Sequence, residues 1–262
     1  MARDFLFDWL MECFRDLVIG RNVKGIIHNL NGPLQILSMQ LELLNMDLER
    51  CKSDVLSMKK EAIPSPEKCG QLTELLLKTA ERVAQLQEVV QKVDLNLRVV
   101  GLRSGGEPQD NPVPTILNHL VQEELEFWKS DLFFKHQVAL DLKLPDSSPV
   151  VVVKEKGIRD IFDSIMMACL EQIRGEEVPS ISIECGVVEK DDFFLTFTHN
   201  GVEFDLAALE ECKAASEKRM IPQHITPAVM ALYMARGWSG QLGLHLSISH
   251  RKVALSSTIS PD

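Results

Sequence analysis

The chain has 262 residues, 45% hydrophobic and 25% charged, which is enough for one or two domains with buried cores. A net charge of −10 excludes a nucleic-acid binder, because a phosphate backbone demands a basic face. Six scattered cysteines (Cys13, Cys51, Cys69, Cys169, Cys185, Cys212) contain no C-x-x-C pair and read as reduced thiols rather than disulfides or zinc ligands.

The apolar opening, residues 1–19, is interrupted by Arg3, Asp4, Asp8, Glu12, Arg15 and Asp16. This excludes a signal sequence and a membrane span, and a cytoplasmic protein is expected. Phe5, Trp9, Phe14, Leu17 and Val18 fall near one helical face, predicting a short amphipathic helix that packs on its own protein. Ile27, Leu30, Leu34, Leu37, Leu41, Leu44, Leu48 and Cys51 then recur in alternating steps of three and four. After Pro64 and Pro66 the same pattern returns at Leu72, Leu76, Thr79, Val83, Leu86, Val90, Val93 and Leu97. Two long heptad helices with a short connection make an antiparallel hairpin. One hairpin leaves much of its seam uncovered, so a homodimeric four-helix bundle is expected.

Residues 101–113 are Gly/Pro-rich and polar, a linker. Beyond them the pattern predicts a helix over 114–130, a strand through Val138, Leu140 and Leu142, a strand at 150–153 and a helix over 156–174. Strands at 180–188 and 193–199 follow, then helices starting at Asp205 and near Thr226, with Pro227 at the first position, and strands at 241–249 and 253–259. The fold class is therefore α+β with two domains. The expected divisions are an N-terminal helix (1–19), a helical hairpin (20–100), a linker (101–113) and an α/β sandwich (114–262).

His28 sits at the flank of the first heptad helix. Asn31, Gly32 and Gln35 follow at three, four and seven residues and share its face. Pro33 removes a backbone donor and should bend the helix just beyond. Small and amide side chains around an imidazole leave room for a phosphoryl group and its carrier. The plainer reading is a structural surface histidine.

The segment His28-Asn29-Leu30-Asn31-Gly32-Pro33-Leu34 resembles the phosphoacceptor box of two-component sensor histidine kinases. His28, Leu30, Pro33 and Leu34 match that box, and the elements after the linker are similar to that family's ATPase domain. The departures are informative. The acidic general base after the histidine is replaced by Asn29, an amide that cannot take the proton. Gly32 stands where many such kinases carry the Thr or Asn of a phosphatase.

The resemblance also implies three nucleotide motifs, and none is intact. Ser164 and Ala168 occupy the two asparagine positions of the Mg²⁺-holding helix, with Asp160 and Asp163 nearby read as solvated charges. In Phe197-Thr198-His199-Asn200-Gly201-Val202-Glu203 the adenine-binding aspartate becomes His199 and the second glycine becomes Glu203. The glycine loop that cradles phosphates is replaced by Ile225-Thr226-Pro227-Ala228, and Pro227 has no N–H to offer. Lys218, Arg219 and His224 read as a solvated lid, with anion binding as the alternative, and Gly237 and Gly240 as the turn into the last strands.

A reactive histidine on a dimeric hairpin, joined to a degenerate ATPase fold, resembles the bacterial histidine phosphotransferases of the ChpT type. The resemblance implies a phosphorelay in which His28 takes a phosphoryl group from one receiver-domain aspartate and yields it to another, with Asn31, Gly32 and Gln35 in the docking face. Response-regulator receiver domains are then the partners. This chain needs no metal or other cofactor of its own, since Mg²⁺ comes with the receiver. The alternatives are a silent pseudokinase that regulates a kinase or response regulator, and a divergent kinase or phosphatase.

Overall fold

The computed structural model describes residues 5–59, 65–101, 111–147, 149–189, 192–220, 222 and 225–257. The chain forms two compact units: unit 1 comprises residues 1–25 and 101–262, and unit 2 comprises residues 26–100. One helix, α1 (Phe5–Met58), runs without a break through residues 19 and 20, and Pro33 lies inside it. Residues 60–64, the expected linker residues 102–110, His224 and residues 258–262 lie outside the described set.

Unit 2 holds the second part of α1 and α2 (Pro66–Gly101). Ser65 caps α2 by accepting from the Lys68 N–H at 3.2 Å, and Pro66 takes the first turn, where its missing donor costs nothing. Asp47 of α1 and Arg82 of α2 bridge the helices at 3.2 Å.

The heptad splits into two rows. Leu30, Leu37, Leu44, Cys51, Leu72, Thr79, Leu86 and Val93 are half-buried or buried, as expected for positions turned toward the sister helix. The intervening Ile27, Leu34, Leu41, Leu48, Leu76, Val83, Val90 and Leu97 are 40–53% exposed. A single hairpin thus buries every second seam residue and leaves the others uncovered.

Unit 1 is an α/β sandwich. Its main sheet has the order β2-β4-β5-β7-β6: β2 (Ala139–Lys143), β4 (Ser180–Glu189), β5 (Asp192–His199), β7 (Lys252–Ser256) and β6 (His245–Ser249). The β2–β4 pair is parallel and the others are antiparallel. One face carries Ile181, Ile183, Leu195, Phe197, Val253 and Leu255, all buried. Alternation at period two puts these side chains on the face covered by α3 (Leu117–Trp128), α5 (Glu155–Gln172) and α7 (Pro227–Leu242). The Phe162 and Phe197 rings meet edge to face at 5.0 Å, joining α5 to the sheet.

Three boundaries differ from the sequence expectation. The predicted helix over 114–130 begins as a strand: β1 (Val113–Ile116) pairs antiparallel with β3 (Val150–Val153). Thr115 and Ile116 are β-branched and suit that ribbon. A short helix, α4 (Leu132–Gln137), is capped by the Asp131 carboxylate, which accepts from the Phe134 N–H at 2.9 Å. Gln241 belongs to α7 rather than to a strand, and so do Gly237 and Gly240. The turn into the last strands is made by Gly243, whose φ of 69° favours glycine. Gly237 has another role: a Cβ there would lie 2.0 Å from the Phe7 ring, so α7 and α1 approach too closely for a side chain.

Asp205 caps α6 (Leu206–Glu217) through the Ala208 N–H at 2.9 Å, and Thr226 caps α7 through the Val229 N–H at 3.2 Å with Pro227 at its start. Sequence periodicity locates both starts.

Candidate functional site

His28 is exposed on α1 within unit 2, and Asn31, Gly32 and Gln35 are exposed with it. A helix advances about 100° per residue, so His28, Gly32 and Gln35 occupy one strip of the surface. A Cβ at Gly32 would meet nothing within 4 Å beyond its chain neighbours and its own helix backbone, so no other element of the chain packs too closely there for a side chain. Asn29, in the place of the acidic neighbour, is half-buried.

The imidazole lies on a charge-free stretch: residues 26–41 contain no Asp, Glu, Lys or Arg. Heptad reasoning passed over a second apolar row here. Ile36, Met39 and Met46 are 47%, 52% and 67% exposed, and the half-buried Leu43 completes a 3-4-3 spacing. At about 100° per residue this row falls across the helix from the seam, on the side of His28 and Gly32. The signal was available in the sequence as a second three-four repeat out of register with the first. The arrangement offers an exposed imidazole, no carboxylate on its strip before Glu42, and an apolar track alongside.

Unit 1 holds the other singled-out residues. Ser164 and Ala168 lie in α5 and are fully buried. The Ser164 hydroxyl donates to the Asp160 carbonyl of its own helix at 2.7 Å. Asp160 and Asp163 are not solvated. Arg15 pairs with Asp160 at 2.9 Å, and the Trp128 indole donates to Asp163 at 2.8 Å. Burial pushes the Asp160 carboxyl above its usual range, against the pull of Arg15. The sequence could not place these aspartates because their partners lie some 35 to 145 residues away along the chain.

His199 ends β5 and is 4% exposed. Its Nδ1 accepts from the Gly201 N–H at 3.2 Å, and its ring meets Phe204 edge to face at 4.6 Å. Burial, and secondarily the Arg251 charge, push its pKa down to about 4. It is a neutral structural histidine at ordinary pH. The surviving glycine of this turn, Gly201, is needed for packing: a Cβ would lie 2.2 Å from the Gln172 carbonyl at the end of α5. Glu203 is exposed and pairs with His250 at 3.1 Å. Pro227 is exposed at the start of α7. Lys218 and Arg219 are exposed at the end of α6, where Arg219 adopts a φ of 55°.

These positions are not gathered into one open site. Ser164, Ala168 and His199 are interior, whereas Glu203 and Pro227 are on the surface. Among the described residues, no group of three or more His, Cys, Asp or Glu is placed to hold a metal ion, and no helix is long and apolar enough to cross a membrane.

No protein-family model matches the chain, and no curated protein does. Solved structures do overlay on it. The catalytic domain of histidine kinase ThkA matches with a TM-score of 0.45 at 12% identity, covering 55% of this chain and 92% of that one. A bacterial phosphotransferase matches with a TM-score of 0.37 at 9% identity, covering 91% and 94%. The histidine kinase AdeS of Acinetobacter baumannii matches with a TM-score of 0.37 at 12% identity, covering 81% and 94%. Overlays this loose carry no assignment of activity, which has to come from the residues themselves.

Proposed function

We propose that the chain is a histidine phosphotransferase of a two-component phosphorelay, with His28 as the phosphoryl carrier. The observation that carries this reading is the solvent-exposed imidazole on a charge-free helical strip, together with the loss of every nucleotide motif that the resemblance implies. A ring nitrogen of His28 attacks the phosphorus of a receiver's aspartyl phosphate. The P–O bond to the carboxylate breaks, that oxygen leaves with the electron pair, and an N–P bond forms. The other ring nitrogen gives up a proton to water. The reverse sequence delivers the group to a second receiver aspartate.

Asn31, Gly32 and Gln35 line the docking strip, with Ile36, Met39 and Met46 extending it. Mg²⁺ arrives with the receiver, which supplies the charge compensation that phosphoryl transfer needs. Positioning on a stiff helix then suffices, and Asn29 is no handicap. The eight uncovered seam residues support a second copy of the chain as the partner that closes a four-helix bundle.

The test is to incubate the protein with labelled ATP alone, and separately with a labelled phosphorylated receiver. Label acquired from the receiver only, and lost in His28→Ala, supports the relay. Label acquired from ATP alone contradicts it and favours a divergent kinase. Tight receiver binding without transfer, retained in His28→Ala, contradicts it in favour of a silent regulator.

A further inference from the structure

The first part of α1 is packed into unit 1 as a bound helix would be. Leu6, Phe7, Leu10, Phe14 and Val18 recur at helical spacing and are all buried. Leu17, which the sequence reading placed on that face, is 42% exposed, and the side chains of Phe5 and Trp9 lie outside the described set. The Phe7 ring meets Trp238 of α7 edge to face at 5.0 Å, and the Leu6 N–H donates to the Ser216 hydroxyl of α6 at 3.1 Å.

Two arginines add charge to this apolar seat. The Arg15 guanidinium stacks 5.0 Å over the Trp238 ring and pairs with Asp160 of α5 at 2.9 Å. Arg21 pairs with Asp131 and with Glu171 of α5 and reaches the Met167 sulfur at 3.1 Å. Phe14, Arg15 and Val18 close over Asp160 and Asp163 with only a small cavity left between them. Ser164 and Ala168 lie one and two turns beyond Asp160 on α5.

We propose that residues 5–25 are the built-in ligand of unit 1: an arginine-bearing amphipathic helix, docked in cis across α5 and α7, that closes this face to nucleotide and on which the integrity of the unit depends. The chemistry that recognises it is an apolar trough flanked by the carboxylates of Asp131, Asp160 and Glu171. A small anionic ligand is a poor match for such a face, because it would meet those carboxylates rather than backbone donors. The inference stands on packing within unit 1 and not on the chemistry of His28. Its test reads neither phosphotransfer nor receiver binding.

Hydrogen exchange on the full chain tests it. In the wild type, amides 8–25 are expected to be protected to within about tenfold of those in α5, as one cooperative block. Val18→Asp is expected to raise exchange about a hundredfold or more in residues 8–25, α5 and α7 together, leaving residues 66–97 unchanged. Arg15→Gln is the milder variant and keeps the fold. It is expected to raise exchange across the same block about tenfold. Release of residues 8–25 while α5 and α7 keep wild-type protection would overturn the proposal. So would saturable stabilisation of the wild type by Mg·ATP with residues 8–25 still protected.

Discussion

Replacing Gly32 by alanine separates the stability of the helix from its use. In a helix interior glycine costs about 0.5–1 kcal/mol relative to alanine. The new methyl meets no atom within 4 Å beyond its chain neighbours and its own helix backbone, but the Pro33 ring crowds a Cβ at the preceding helical position, which offsets part of the gain. The stability of unit 2 is expected to change by less than about 1 kcal/mol, a shift in Tm of no more than roughly 8 °C for a unit of this size. The same methyl projects onto the strip proposed to receive a partner, one turn from His28. An extra methylene forced into a packed contact costs about 1–3 kcal/mol, so transfer from a phosphorylated receiver is expected to slow by about one to two orders of magnitude. Circular dichroism melts read the first effect and single-turnover transfer reads the second. A folded Gly32→Ala protein that transfers at the wild-type rate would refute Gly32 as part of the docking strip.

Three further perturbations follow from the geometry. His199 has a pKa pushed down from 6.5 to about 4, so the unfolded chain takes up a proton that the fold refuses. Its contribution to unit 1 stability is intact above the unfolded value and falls by about 3 kcal/mol as the pH drops toward the folded one. Asp160, raised by burial, has the opposite slope, so the reading is the difference between wild type and His199→Gln across that window, and parallel curves would contradict it. Arg159, buried in α5, pairs with the fully buried Glu124 of α3 and with Glu123 and Glu155. Arg159→Met is expected to cost about 3–5 kcal/mol in urea unfolding, mostly recovered when Glu124→Leu is added, because the penalty is a buried carboxylate deprived of the arginine's charge. Leu41→Glu with Val83→Glu puts charges into the uncovered seam. Light scattering should then report a monomer where the wild type is expected to be a dimer, with the near-ultraviolet spectrum of unit 1 retained, and an unchanged mass would rule out that seam as the dimer surface.

Local rules located much of this fold. The heptads placed the helices of unit 2, and Asp205, Thr226 and Pro227 marked the starts of α6 and α7 because capping is written within four residues. The β1–β3 ribbon was not legible, since its pairing joins Val113 to Val153 across 40 positions and its sequence also suits a helix start. Nor was the setting of Asp160 and Asp163. A carboxylate on a helix reads as solvated until the chain is seen to bring Arg15 and Trp128 onto it. At the candidate site, the exposure of His28, Asn31, Gly32 and Gln35 follows from their place off the seam. Ile36, Met39 and Met46 were missed because the stronger repeat on the opposite side claimed the helix.

The most direct measurement is the location of the phosphate itself. The wild-type chain is mixed, without ATP, with a receiver carrying a labelled aspartyl phosphate, quenched at alkaline pH to preserve the N–P bond, digested and mapped by mass spectrometry. A phosphoryl group on His28, chased off by adding a second receiver, is the expected result. A phosphoryl group on any other residue, or none on His28 while the receiver is bound, would contradict the role assigned to this imidazole.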